Sequence, residues 1–255
     1  MWKQLSTYHF YPWGIRRLHL TFPAQKGTDI WLMERWLNRV RKLQPGWWLE
    51  PTAEQGRFTG KVMAQIRRLA KYLLVWQPWQ VEPLTYSIFG LDVGLGRKAG
   101  LFGLRPLLVG DRGEDVRALQ NRLVACNRRL ALILGRPADG VYDQRTARMV
   151  RAFQRDSQML FPGIRASGQV FSDTMLALWD RTLLGGRVLQ LGDRGLDVLA
   201  LQDLLNGLGY PCQLSGIFDL TVAKTLAGWQ RDLGLPQTGL FGYEECWHLG
   251  LMRGY

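Results

Sequence analysis

The sequence is short of cysteine, of histidine and of long apolar runs, and each shortage removes a class of protein. Three cysteines, Cys126, Cys212 and Cys246, are too few for a disulfide framework. The odd number leaves at least one thiol unpaired within the chain, so a reducing compartment is permitted. Three histidines, His9, His19 and His248, fall short of the two or three clustered imidazoles a zinc hydrolase needs, and no His-Glu-x-x-His string occurs. Glu244 and His248 stand one helical turn apart, but one imidazole, one thiol and two carboxylates do not make a recognisable zinc set. Apolar runs such as Tyr72 to Trp76 are far below the roughly 18 residues of a spanning helix, so no membrane span is expected. The first twenty residues interleave Lys3, His9, Arg16 and Arg17 with aromatics and show neither an apolar core nor a small-residue cleavage site. No secretion signal is visible on this reading.

Acidic residues are scarce at the front of the chain. Residues 1–100 hold 15 Lys and Arg against 6 Asp and Glu, residues 101–184 hold 13 against 8, and residues 185–255 hold 5 against 7. Eight of the eleven tryptophans share the basic front: Trp2, Trp13, Trp31, Trp36, Trp47, Trp48, Trp76 and Trp79. A basic, Trp-rich segment suits an anionic polymer, whether nucleic acid, a teichoic-acid-bearing wall or an acidic membrane surface. Trp31 and Trp36, however, fall in an amphipathic helical pattern, where large aromatics are core residues. The 255 residues, 47 % of them hydrophobic, can bury one large core or two to three small ones.

Comparison of the chain with itself reveals a repeat. Gly110 through Gln120 reappears as Gly192 through Gln202, differing only where Glu114 and Arg117 become Leu196 and Leu199. Downstream, Gly140-Val141-Tyr142-Asp143 leads to Phe153-Gln154-Arg155-Asp156, and Gly216-Ile217-Phe218-Asp219 leads to Trp229-Gln230-Arg231-Asp232. The step from Gly to Gln is fourteen residues both times, whereas Gln120 to Gly140 is 20 residues and Gln202 to Gly216 is 14. The stretch Arg128 to Pro137 therefore carries a six-residue insertion, expected in a loop. A degenerate third copy starts at Lys26-Gly27 and places Glu34 in the frame of Gln120, with Gly56-Arg57-Phe58-Thr59 as its second block and Ile66, Leu69 and Ala70 beyond. Gly27, Gly113 and Gly195 lie 86 and 82 residues apart, so each unit has the size of a small domain and is not a short solenoid repeat.

Helical spacing appears three times in each of the clearer copies. Val116, Leu119, Leu123 and Val124 mark the first helix, Ala147, Val150 and Phe153 the second, and Ser172 through Trp179 the third, with Ser172 or Asp173 as its expected cap. Val198, Leu201, Leu205 and Leu208, then Ala223, Leu226 and Trp229, then Glu244 through Leu249 repeat the plan. Asp139-Gly140, Ser167-Gly168, Ser215-Gly216 and Thr238-Gly239 are turn signals, the glycine supplying positive φ.

These residues resemble the peptidoglycan-binding domain family, which accompanies bacterial and phage cell-wall hydrolases. The resemblance rests on Gly-Asp-Arg-Gly, Asp-Val and Leu-Gln, on the Asp-Gly turn with Val141, Tyr142 and Thr146, and on Phe153-Gln154 with a closing turn and helix. It covers residues 106–180 and 188–250, and in weaker form 18–92. The last copy has Val222 for Thr146, and the first lacks the Asp-Gly turn and the Phe-Gln pair. The resemblance implies compact three-helix modules that associate noncovalently with cell-wall glycan or stem peptide. The resulting expectation is a mainly α chain: an extension 1–17, a diverged module 18–92, a Gly-rich linker 93–105, a module 106–182, a linker 183–187 and a module 188–255.

From the residues themselves, Asp139, Asp143, Asp193 and Asp197 read as turn and capping groups, and Gln154 and Gln230 as hydrogen-bond partners of a neighbouring loop. A ligand surface would use exposed side chains beside the turns: Tyr142, Arg145 and Gln154 in the middle copy, Phe218, Thr221 and Gln230 in the last. Aromatic faces cover sugar CH groups, while amides and guanidinium groups reach hydroxyls and carboxylates.

No catalytic constellation is found, and no cofactor or metal is called for. Cys126 and Cys212 lie in helical and loop contexts without a paired base, and Glu50 and Glu54 around Pro51 do not face each other across a cleft. Gly94 through Gly100 lacks the strand-loop-helix setting of a phosphate loop and reads as a linker. The favoured function is noncatalytic, multivalent binding to bacterial cell-wall peptidoglycan, with weak modules gaining avidity from their linkage. A protein-interaction scaffold in a spore, phage particle or secretion apparatus, an accessory targeting subunit of a cell-wall hydrolase, and polyanion binding by residues 1–100 are the alternatives. Wall localisation without a visible signal implies release on lysis, a dedicated export machine, or a phage or spore setting.

Overall fold

The computed structural model describes residues 16–74, 77–82, 85–86, 88–89 and 102–252. Nine α-helices are present among them: α1 (Thr28–Leu43), α2 (Gly60–Leu73), α3 (Glu114–Cys126), α4 (Arg128–Leu134), α5 (Gln144–Ser157), α6 (Ser172–Arg181), α7 (Leu196–Gly207), α8 (Leu220–Asp232) and α9 (Tyr243–Met252). A single 3₁₀ turn covers Pro45–Trp47. Among the described residues extended backbone pairs only through isolated antiparallel bridges, including Lys26 with Arg57, Arg112 with Val141 and Arg194 with Ile217. The mainly α reading therefore stands. Most of the Gly-rich linker and most of the N-terminal extension lie outside the described residues.

The three bridges fall at equivalent places in the three repeats. Gly27, Gly113 and Gly195 each precede a helix, and their N–H groups donate to the carbonyls of Gly56, Gly140 and Gly216, all at 3.0 Å. The next helix is capped alike in each copy, because Thr59, Asp143 and Asp219 accept from the backbone N–H of Val62, Thr146 and Val222. Such caps satisfy an orphan N–H and are worth about 1 kcal/mol. The degenerate first copy thus shares the backbone frame of the other two despite its different side chains.

The insertion in the middle copy is a correction to the loop expectation: it folds as α4. Asn127 caps it by accepting from Leu130 N, Gly135 ends it in the left-handed region, and Leu130, Ala131 and Leu134 are buried. Apolar residues at i, i+1 and i+4 between a capping Asn and a terminal Gly are sufficient cause for a short helix that has a core to cover. A second correction concerns α6. Phe171 occupies its N-cap position without a side-chain bond, and Asp173 accepts from the adjacent Thr174 N at 2.6 Å inside the first turn.

Contacts divide the chain into two compact units that do not follow sequence order. One is drawn from Gly94–Val188 and Phe241–Tyr255, the other from Gln4–Val93 and Leu189–Leu240. In the first unit α9 packs on α3 and α4. A Cβ at Gly250 would stand 2.5 Å from the Val124 carbonyl oxygen, so only glycine permits that approach. Tyr243 Oη donates to Glu114 Oε2 at 3.0 Å beneath the Arg117 guanidinium. In the second unit Trp31 and Trp36 are buried, as the helical pattern implies, and Trp36 lies 5.9 Å from Phe89. Leu196 N donates to Ile88 O, and Gln44 Nε2 donates to Leu214 O, joining the first and last repeats within one unit.

Candidate functional site

Four Gly turns organise the two clearer repeats, and each is held by a buried glutamine. The residue before each glycine, Asp139, Ser167, Ser215 or Thr238, accepts from the N–H of the residue after it, at 3.0 to 3.2 Å. The glycines have φ of 75, 79, 68 and 64°. At Gly140 a side chain would also meet the Gly113 carbonyl oxygen at 2.9 Å, so both the left-handed backbone and the close approach demand glycine.

Each glutamine reads its turn in the same way. Gln120, Gln154, Gln202 and Gln230 accept through Oε1 from the N–H of Gly140, Gly168, Gly216 and Gly239. Each Nε2 donates to the carbonyl of the following residue: Val141, Gln169, Ile217 and Leu240. The remaining Nε2 hydrogen finds a hydroxyl or carboxylate, Asp139 and Thr146 for Gln120 and Thr174 for Gln154. All four amides are almost fully buried, and a buried amide is tolerated when its donors and acceptor are used.

This geometry decides the placement of the six expected ligand residues. Tyr142 and Phe218 are fully buried, Gln154 and Gln230 belong to the turn clasps, and only Arg145 and Thr221 are exposed. The expectation that all six face solvent is therefore corrected for Tyr142, Gln154, Phe218 and Gln230. Tyr142 donates through Oη to Gly168 O at 2.8 Å, linking the two turns of the middle repeat. Burial, helped by the Asp111 charge, pushes its phenol above the ordinary range. The alternative of a loop-bonding glutamine describes Gln154 and Gln230 as found.

Charged groups around the first turn of the middle repeat are internally paired. Arg136 Nη2 contacts Asp139 and Asp143, both at 2.9 Å. Partial burial works against the charge on Asp143, but the Thr146 N–H and the Arg136 guanidinium hold its carboxyl below the ordinary range. In the first repeat the clasp position carries Glu34, whose Oε2 accepts from Gly56 N at 2.7 Å. Burial, partly offset by that N–H, pushes the Glu34 carboxyl up to about 7.

Reactive groups remain dispersed. Cys212 Sγ donates to Gln202 O, and burial pushes its thiol up, away from the thiolate a nucleophile requires. Cys246 is buried. Among the described residues no group of three or more His, Cys, Asp or Glu could hold a metal ion, and no helix is long and apolar enough to cross a membrane.

Two stretches, residues 112–164 and 194–244, match the family model described as "Putative peptidoglycan binding domain". Both segments are similar to the peptidoglycan-binding domain family. No curated protein and no solved structure matches the chain. Each matched segment begins at the Arg-Gly before its first helix and contains that helix, both glutamines and the first Gly turn; the second turn falls inside the later segment at Gly239 but beyond the end of the earlier one at Gly168. Three of the four clasped turns thus fall inside the family signature, and they are interior features. Arg41, Trp48 and Arg68 of the first repeat lie outside both matched segments, so no motif singles them out; the only sequence signal is the Trp47-Trp48 pair after Pro45-Gly46.

Proposed function

We propose that this chain is a noncatalytic, multivalent binder of bacterial cell-wall peptidoglycan that acts at the wall. The observation that carries the reading is the presence in one chain of two segments that match the peptidoglycan-binding domain model. Two weak modules in one polypeptide act at high effective concentration on a polymeric ligand. Arg145 and Thr221 remain from the six expected ligand residues as solvent-facing groups beside the turns, and a guanidinium and a hydroxyl suit glycan hydroxyls and stem-peptide carboxylates. Burial of the other four favours a second reading, in which the modules serve as a protein-interaction scaffold.

Cosedimentation of the full chain with teichoic-acid-free sacculi at low and moderate salt separates these readings. Pelleting that persists at moderate salt and weakens several-fold in an R145A/T221A variant supports the wall reading. Pelleting that disappears with salt means charge attraction by the basic front of the chain. Absence of pelleting at either salt overturns wall binding and leaves the scaffold.

A further inference from the structure

The loop after α1 holds a tryptophan in water at the expense of backbone comfort. Pro45 opens the 3₁₀ turn with its fixed φ. Trp47 is buried and stacks on Tyr72, with centroids 4.9 Å apart and planes 7° from parallel. The chain then passes through Trp48 at φ 52° and ψ 35°, the left-handed region that a bulky L-residue seldom occupies. Three bonds fix that conformation: Trp48 N donates to Pro45 O, Arg68 Nη1 donates to Trp48 O, and Glu50 N donates to Gln65 Oε1. The outcome is a tryptophan 78 % exposed, neighboured in sequence by a buried one. Strain retained at a surface aromatic that packs no core is a mark of a functional position.

Beside it lies a cavity of about 500 Å³ lined by Arg41, Pro45, Trp48, Leu49, Glu50 and Arg68, within the size range of small-molecule sites, roughly 300–1,000 Å³. The Nε of Arg41 is covered by protein and has no acceptor among the described residues. Arg68 spends only Nη1 on its described partners, Trp48 O and Glu50 Oε1, which leaves the Nε–Nη2 edge for a bidentate carboxylate. Glu50, with about half its side chain exposed, offers an acceptor for a hydroxyl or amide N–H.

We propose that this groove binds a pyranose sugar bearing a carboxylate, with the Trp48 indole against the sugar face and Arg41 and Arg68 on the carboxylate. The site lies outside the two family-matched segments and does not rest on the peptidoglycan reading. Muramic acid freed of its stem peptide and uronic acids in acidic polysaccharides share the required chemistry.

The test is a ¹H–¹⁵N NMR titration of the full chain, with the Trp48 indole signal assigned by its loss in W48F. N-acetylmuramic acid, glucuronic acid, neutral N-acetylglucosamine and a short single-stranded DNA are the probes. Both acidic sugars, or one of them, shift the Trp48 indole and the Arg41 and Arg68 Nε–H signals, at least fivefold more tightly than the neutral sugar. Preference for one acidic sugar identifies the source. W48G loses the binding while its melting temperature stays at or above that of the parent, because glycine accepts the left-handed backbone. Equal response to the neutral sugar, response to DNA alone, no response, or retained binding in W48G each overturns the proposal. Sacculus pelleting of W48G reads the matched modules separately, so either idea can fail without the other.

Discussion

Glu34 stands in the frame where the other two repeats place Gln120 and Gln202, and it performs half of their task. Like their amide oxygens, its Oε2 takes the glycine N–H of the turn. It cannot donate unless it carries a proton, and burial raises its carboxyl from an ordinary 4.5 to about 7. Glu54 adds to that rise, and Arg57 and Lys61 line the small cavity beside it. In the unfolded chain Glu34 ionises near 4.5, while in the folded one it keeps its proton to about 7. The folded state then binds the extra proton between these values, so stability from this group is full below pH 4.5 and is lost as pH rises to about 7. The 2.5-unit span corresponds to about 3 kcal/mol. E34Q is expected to match the parent near pH 4.5 and to exceed it by up to about 3 kcal/mol at pH 8, measured by urea denaturation of both proteins at each pH. An equal difference at both pH values would assign the effect to packing alone.

Among elements, the unit of construction is a helix joined to a Gly turn by one glutamine. Q154L removes the partners of Gly168 N, Gln169 O and Thr174 Oγ1 together, and an orphaned buried polar group costs about 1–3 kcal/mol. We expect Q154L to destabilise the protein by about 2–4 kcal/mol, seen as a lowered urea midpoint, whereas R145A, at an exposed position, stays within about 0.5 kcal/mol. The elements were readable because helix spacing, Gly turns and capping Asp recur at fixed offsets in the chain. The clasps were only half readable: a Gln in the Leu-Gln and Phe-Gln pairs flags a repeated need for an amide, but nothing in the string says that it points inward. Tyr142 and Phe218 misled for the same reason, since an aromatic beside a turn has one sequence signature and two possible directions. The helix α4 was hidden because seven residues give too few periods to distinguish from a loop.

For the whole molecule, repeat order and unit membership part company. Module boundaries at 183–187 remain a proposal drawn from the repeat, while the compact units join α9 to the middle repeat and the remainder of the last repeat to the first. Truncation after residue 240 uncovers α3 and α4, and G250V pushes a side chain against the Val124 carbonyl. Both changes are expected to lower amide-exchange protection chiefly in residues 114–134, before residues 196–232 are affected. Hydrogen exchange with mass spectrometry checks this, and primary loss of protection in residues 196–232 would contradict the contact pattern.

The placement of α9 also governs how the chain can fold as it is made. Closure of the first unit must wait until residues 241–252 have left the ribosome, because α9 packs on α3 and α4. The first repeat likewise awaits residues 189–240 to complete its unit. Neither unit can be finished in the order of synthesis, so nascent chains carry exposed apolar surface until those later residues have emerged. Such long-range closure slows folding and lengthens the time available for aggregation, which makes the growing chain a natural client for ribosome-associated chaperones.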